Sequence, residues 1–432
     1  MYLNDYTART NSTKKERISF PTLLIAFVFV YALFGLDRIK KISFLKIDGM
    51  STTNEIWLIL LVWLICGLYN RAKGHEIRDN KYIMLVKICL YLLVTITIIG
   101  GFHAISTTQY VYAVLLFLVP SLLFFITSKL QEGELHFLLK LFVVTSLIYS
   151  LFAIVLTTNY AFFMRLIGNP VDNYRYYGQY RASMMLGSSI TVSYYFNLTL
   201  PLCFYSFYHS PEKKWKKLSA FAAGANVVAT LVLLSRNANF VMVGIVVYCL
   251  FFMSKTSRVF GKTVISMFLL ITAGLFATSK YDLSRLLIGL DRSGSSVALR
   301  LEATQLALVI FKEKPIFGYG MGRFFTRVYH DRFITFNGVT GLVDPHNLYV
   351  LVLSELGTVG LFILMALIFV LTKGFSNIQE RALRQASYLT LAALLICSLG
   401  GSHLVNEISY ATIFWVYMGM YSAFCRKRTG GS

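Results

Sequence analysis

The chain is built from long apolar runs separated by short polar connections, and a run of about 20 such residues is what a helix needs to cross the hydrocarbon of a bilayer. Twelve runs can be drawn, over residues 19–36, 54–69, 82–101, 110–127, 138–156, 190–208, 218–234, 238–253, 263–277, 347–372, 386–401 and 408–425. None shows the period-two alternation of a barrel strand, so they predict helices. Hydrophobic residues make up 56% of the sequence and charged residues only 14%. That is more apolar surface than one or two soluble cores can bury, which leaves lipid as the solvent. The expected fold is all-α and polytopic, with about 12 transmembrane helices in a single membrane domain over residues 1–432.

Orientation follows from the basic residues in the connections. Clusters fall on alternate ones: Arg9/Lys14/Lys15/Arg17, Arg71/Lys73/Arg78, Lys213/Lys214/Lys216/Lys217, Lys255/Arg258/Lys262, Lys373/Arg381/Arg384 and Arg426/Lys427/Arg428. Cytoplasmic loops concentrate Lys and Arg, so both termini of this multi-pass chain are expected in the cytoplasm. One connection, with Arg38, Lys40, Lys41 and Lys46, runs against this pattern. No small-residue cleavage site follows Leu36, so the first run is read as a retained helix rather than a signal peptide. The net charge of +21 is then chiefly a topology signal, with a contribution from anionic lipid, and gives no indication of nucleic acid. All six cysteines lie in or at the ends of apolar runs, where they suit small buried hydrophobes better than disulfides or ligands. No internal repeat of the kind that marks many transporters is apparent.

One connection is much longer than the rest. Residues 280–345, between runs nine and ten, carry nine Lys or Arg against six acids and are expected outside the cytoplasm, as are residues 157–189. Within the long loop, Ser293-Gly294-Ser295-Ser296 reads as a hinge and cap before a helix over 297–311. Leu299, Ala303, Leu306 and Ile310 share one face of that helix, predicting that it lies on the membrane surface or packs across the mouth of the bundle. Pro315 stops it, and Gly318-Tyr319-Gly320-Met321-Gly322 follows as a turn able to approach other backbone closely. Without a strand-turn-helix context these glycines are weak support for a nucleotide site. No Asp-x-Asp pair or His/Cys/Asp cluster stands at metal spacing, so neither metal nor cofactor is expected.

Three positions carry candidate chemistry. Arg236, in Leu233-Leu234-Ser235-Arg236-Asn237 between two apolar runs, either faces a wet cavity or snorkels to headgroups. Arg300 sits in the loop helix as a solvated charge or, beside a second guanidinium, as half of a clamp that could hold phosphate oxygens. His346, after Pro345, opens a helix where loop meets membrane, and a neutral imidazole there could take a proton from a hydroxyl. Glu355 is about half a turn away around a straight helix and is expected to pair with a buried polar group on another helix instead.

The ordered set resembles the O-antigen ligase and Wzy-type polysaccharide polymerase superfamily. The residues that carry the resemblance are Arg236 after its apolar run, then Arg300 followed by Pro315-Ile316-Phe317-Gly318-Tyr319-Gly320-Met321-Gly322. His346-Asn347-Leu348-Tyr349 and Ser354-Glu355-Leu356-Gly357-Thr358-Val359-Gly360-Leu361 complete it. Arg181-Ala182-Ser183 is similar to the family's second external loop, although Met184-Met185 stands where a Gly-Thr or Gly-Ser pair is common.

The resemblance implies a metal-independent, inverting glycosyltransferase on the outer face of a bacterial inner membrane. The donor would be a glycan on undecaprenyl pyrophosphate, held by Arg236 and Arg300, with His346 activating the acceptor and Arg181 and Asn347 as further substrate contacts. A polymerase would add the glycan to another lipid-linked repeat unit and a ligase to lipid A-core; the glycine turn favours the polymerase. A flippase or transporter for polyprenyl-linked glycans is the alternative of another class, but such proteins place key charges near the midplane. Here Lys87 is the clearest charge inside a run.

Overall fold

The computed structural model describes residues 18–34, 46–47, 50–51, 54–73, 79–101, 107–158, 186, 188–253, 296–322, 324 and 345–426. The helices are α1 (Phe20–Phe34), α2 (Asn54–Ala72), α3 (Lys81–Gly101) and α4 (Thr107–Leu118), which passes through a 3-10 turn (Val119–Ser121) into α5 (Leu122–Thr127). Then come α6 (Glu132–Thr158), α7 (Ser189–His209), α8 (Lys213–Val232) and α9 (Arg236–Tyr248), the last continuing as a π-turn (Cys249–Met253). The loop helix is α10 (Ser296–Glu313), followed by α11 (Leu348–Phe375), α12 (Arg381–Cys397), the short α13 (His403–Asn406) and α14 (Ile408–Phe424). A two-residue antiparallel pair, Lys46–Ile47 with Met50–Ser51, precedes α2.

Every predicted run coincides with a helix except 263–277, which lies outside the described residues, as does most of the 280–345 loop. By length and composition, six helices among the described residues can cross a membrane: 54–72, 81–100, 110–127, 132–157, 236–253 and 348–375. The chain is a multi-pass membrane protein. Of the remaining runs, α1 is apolar but only 15 residues long, 263–277 lies outside the described residues, and two others are inner helices. Helices α7 and α14 are buried along almost their whole length, so nearly all their Ser, Thr, Asn and Tyr side chains meet other helices. Such helices can be polar where a lipid-facing helix cannot. Helix α7 packs on α8 and α12, α8 on α6, and α14 on α5 and α1. Asn226 of α8 shows the pattern: its Nδ2 donates to Ser146 at 3.4 Å and to Thr199 at 3.3 Å.

Helix α11 is two helices. Gly357 has φ 68° and ψ −167°, which breaks the run. A break frees backbone groups that lipid cannot satisfy, and here the turn after α10 satisfies them. The Tyr319 and Gly320 N–H groups donate to the Ser354 and Glu355 carbonyls at 3.3 and 2.7 Å, while Thr358 and Val359 donate to Pro315 and Ile316 at 2.8 and 3.2 Å. The glycine turn is thus spent on backbone pairing: Gly318, Gly320 and Gly322 all have positive φ, and the backbones of Gly318 and Glu355 meet where no Cβ could fit. Gly320 also touches the end of α3, where a Cβ would stand 2.7 Å from the Gly100 carbonyl oxygen.

This pairing decides what lies across the bundle. Gly374 packs on Tyr82 and Gly100 on Gly320, so α3 and the lower part of α11 run antiparallel. At about 1.5 Å per residue, Tyr82 to Gly100, Gly374 to Gly357 and Arg381 to Ser398 each rise about 26 Å. Residues 348–356 would add about 13 Å more, yet the Leu348 N–H reaches the Ser398 carbonyl, at the top of α12, at 2.9 Å. Both ends of this segment are therefore level, and it crosses the end of the bundle. Helix α10 runs along it, tied at Thr304 to the Pro345 carbonyl and at Pro315 to Thr358. Ala303 and Ile310 of the expected face are buried, Leu306 is half-buried and Ala307 is buried beside them, so α10 packs across the bundle end.

Gly357→Ala is expected to cost about 1–3 kcal/mol, read as a lower Tm in detergent, because a side chain there is strained at positive φ and meets the Ile316 backbone. Gly67→Ala, with nothing within 4 Å, should leave Tm unchanged or raise it, since a helix interior favours alanine by up to about 1 kcal/mol. Equal effects at the two positions would sink this account of the break.

Candidate functional site

The last turn of α12 organises one end of the bundle. The final carbonyls of a helix have no partners within it, and at α12 they are taken by three neighbours. Asn237 Nδ2, at the start of α9, donates to the Cys397 and Ile396 carbonyls at 3.2 and 3.4 Å. Tyr349 of α11 donates its hydroxyl to the Leu395 carbonyl at 3.0 Å, beside the Leu348 bond to Ser398. Asn237 Nδ2 also donates to the Tyr194 hydroxyl of α7 at 3.0 Å. Gly400 closes the cluster, because a Cβ there would stand 2.5 Å from Asn237 Nδ2.

These bonds bring the sequence-predicted residues to one place. Arg236 is the first residue of α9, next to Asn237, and is exposed. It has no hydrogen bond or ion pair among the described residues. A cation at a helix N-terminus opposes the macrodipole, whereas an anion there is held by backbone N–H groups and dipole together. The position costs stability and suits an anionic ligand. Arg300 is half-buried on α10, the helix that lies along the crossing segment of α11. One turn further on, Thr304 Oγ1 donates to the Pro345 carbonyl at 3.5 Å, next to His346.

His346 is exposed and adopts φ 50°. The other non-glycine residue with positive φ among those described is Leu234, φ 56°, two residues before Arg236. Left-handed conformation costs a non-glycine residue about 1–2 kcal/mol. Both strained residues stand in turns that launch α9 and α11 into the site, and such strain gathers at functional sites. Asn347, expected as a substrate contact, caps α11 through Oδ1, which accepts from the Tyr349 and Val350 N–H groups at 3.0 and 3.2 Å. Glu355 is buried, and its Oε1 accepts the Phe324 N–H at 3.1 Å, a partner in the backbone of the loop. Arg181 lies outside the described residues.

Over residues 218–365 the chain matches the family model described as O-antigen ligase. This segment is an O-antigen ligase family domain. It holds Arg236, Arg300, His346 and the break at Gly357, and so takes in the crossing segment of α11 and the helix laid along it. No curated protein matches the chain. Beyond the family segment, the structure adds residues that sequence reading missed. His403 of α13 lies with its Nδ1 3.1 Å from Thr191 Oγ1 and its ring 5.2 Å from that of Tyr194. The signal available was a histidine after Gly400-Gly401-Ser402 between two apolar runs; its pairing with Thr191 and Tyr194 joins positions more than 200 apart. Among the described residues no three His, Cys, Asp or Glu side chains converge as a metal site would require.

A double-mutant cycle of Tyr194→Phe and Asn237→Ala on thermal stability in detergent is expected to give a coupling of about 0.5–1.5 kcal/mol. Additive losses would mean that this hydrogen bond does not hold α7 to α9.

Proposed function

We propose that the chain is a glycosyltransferase that moves a glycan from undecaprenyl pyrophosphate to an acceptor hydroxyl, at the outer face of a bacterial inner membrane. One observation carries the reading: the last turn of α12 binds the starts of α9 and α11, and α10 is tied at Thr304 to Pro345, so the helices that carry Arg236, His346 and Arg300 meet at one bundle end. The basic residues that flank the helices support the sidedness. Lys213–Lys217, Lys373, Arg381 and Arg384 all lie at the far ends of α7, α8, α11 and α12, away from the site, as a cytoplasmic end requires.

In the proposed step the acceptor oxygen attacks the anomeric carbon from the side opposite the pyrophosphate, and the carbon–oxygen bond to the pyrophosphate breaks with inversion. His346 takes the hydroxyl proton. Arg236 and Arg300 hold the departing pyrophosphate and offset the charge that builds on it, with no step assigned to a metal. The acceptor expected from the sequence is a second lipid-linked repeat unit, which would make the protein a polymerase. A ligase acting on lipid A-core is the second reading and has the family description in its favour. The glycine turn no longer separates the two, because its backbone is committed to α11. Transport has less support: Lys87 is paired with Asp79 and lies over the Phe125 ring, as a structural charge would.

His346→Ala and Arg300→Ala are each expected to abolish chain transfer, a loss of at least about 100-fold, while protein remains folded in the membrane. Normal polysaccharide length profiles from either variant would overturn the assignment. Purified protein given lipid-linked repeat alone should produce longer chains; product only on addition of lipid A-core would replace the polymerase with the ligase.

A further inference from the structure

The turn between α10 and the break in α11 presents Ile316 and Phe317 outward, 58% and 49% exposed. Two adjacent large apolar side chains at the tip of a turn ordinarily bury themselves by collapse of the loop. This tip cannot collapse, because its backbone is fixed on both sides. Gly318 donates to the Lys314 carbonyl at 3.0 Å, and Pro315 and Ile316 accept from Thr358 and Val359. The exposure is therefore built in, and an apolar surface held open in this way marks a contact with an apolar partner.

What covers it is indicated by its neighbours. Directly below the tip, α11 turns Phe362, Met365 and Phe369 outward, Phe362 being 73% exposed. On the adjoining α3, Ile98 and Ile99 are exposed just before Gly100, which touches Gly320. Both helices are long and apolar enough to cross a membrane, so these faces meet acyl chains. The tip continues that surface at its end, where hydrocarbon gives way to headgroups. Its lysines are suited to that level: Lys312 is exposed, Lys314 lies with its ammonium 4.9 Å from the centre of the Tyr319 ring, and the acid between them, Glu313, accepts from the Tyr319 hydroxyl. A lysine stem can lie along apolar surface while its head reaches the lipid phosphates.

We propose that residues 312–317 are a membrane anchor of the site-bearing loop. Ile316 and Phe317 seat in the acyl region of the leaflet at which α3 ends, about 5–10 Å into the boundary, and Lys312 and Lys314 contact lipid phosphates. The anchor holds α10, and with it Arg300, against the bilayer surface independently of any substrate.

The test measures depth and requires no glycan transfer. Phe317→Cys and, in a second protein, Ile316→Cys are labelled with a fluorophore and placed in nanodiscs of phosphatidylcholine and phosphatidylglycerol. The native cysteines are buried, and unlabelled wild type provides the background. Phe362→Cys serves as the lipid-facing reference. The expected result is strong quenching of both tip probes by a lipid with its nitroxide near the headgroup, weaker quenching by one with the nitroxide at the chain end, and little by aqueous iodide. Quenching dominated by iodide would place the tip in water and overturn the proposal. Protection from lipid and iodide alike would mean that protein covers the tip, and would equally overturn it.

Discussion

A backbone N–H or carbonyl that leaves a helix inside a membrane must find a partner, since lipid supplies none. Two places in this protein are shaped by that constraint. At Gly357 the chain breaks a spanning helix, and the turn after α10 is drawn in to pair with the freed groups. At the end of α12 the last carbonyls draw in Asn237, Leu348 and Tyr349. The first event turns residues 348–356 across the bundle end; the second fixes where that segment and α9 arrive. The site is assembled from the solutions to these two backbone problems.

The rest of the bundle makes this possible by keeping polarity inside. Asn226 of α8 donates to Ser146 of α6 and to Thr199 of α7, and Ser409 of α14 donates to the buried Glu55 at 2.7 Å. Interhelical hydrogen bonds of this kind contribute about 0.6–2 kcal/mol each in a membrane setting. They also specify which helix face meets which, a task that uniform apolar packing performs poorly. The outward faces, by contrast, are apolar wherever α3 and α11 meet lipid, as Ile98, Phe362 and Phe369 show.

The site itself is built at a cost in stability. Leu234 and His346 hold left-handed backbone, and Arg236 stands at the unfavourable end of a helix dipole. None of these choices helps the fold. Each places a cation or an imidazole on the rim of the bundle end, where the proposed transfer needs them. The rigid turn at Ile316 and Phe317 sits on the same loop and sets its level relative to the bilayer.

Much of this is legible in the amino-acid sequence. Apolar length alone located the helices, because a spanning helix must be apolar over about 20 residues whatever its neighbours are, and the α10 face was visible as a 3.6-residue period ending at Pro315. The residues that carry charge in odd places, Arg236 and His346, stood out for the same reason: water-seeking groups beside lipid are conspicuous. The sequence alone did not determine which apolar runs face lipid and which, like α7 and α14, are enclosed by protein, since burial depends on the packing partner and not on composition. Nor did it show that the glycine turn closes the break at Gly357, that Asn347 caps a helix, or that His403 meets Thr191 and Tyr194. Local sequence determines where a helix can form and where it must stop; which distant carbonyl answers a freed N–H is decided only when the helices pack.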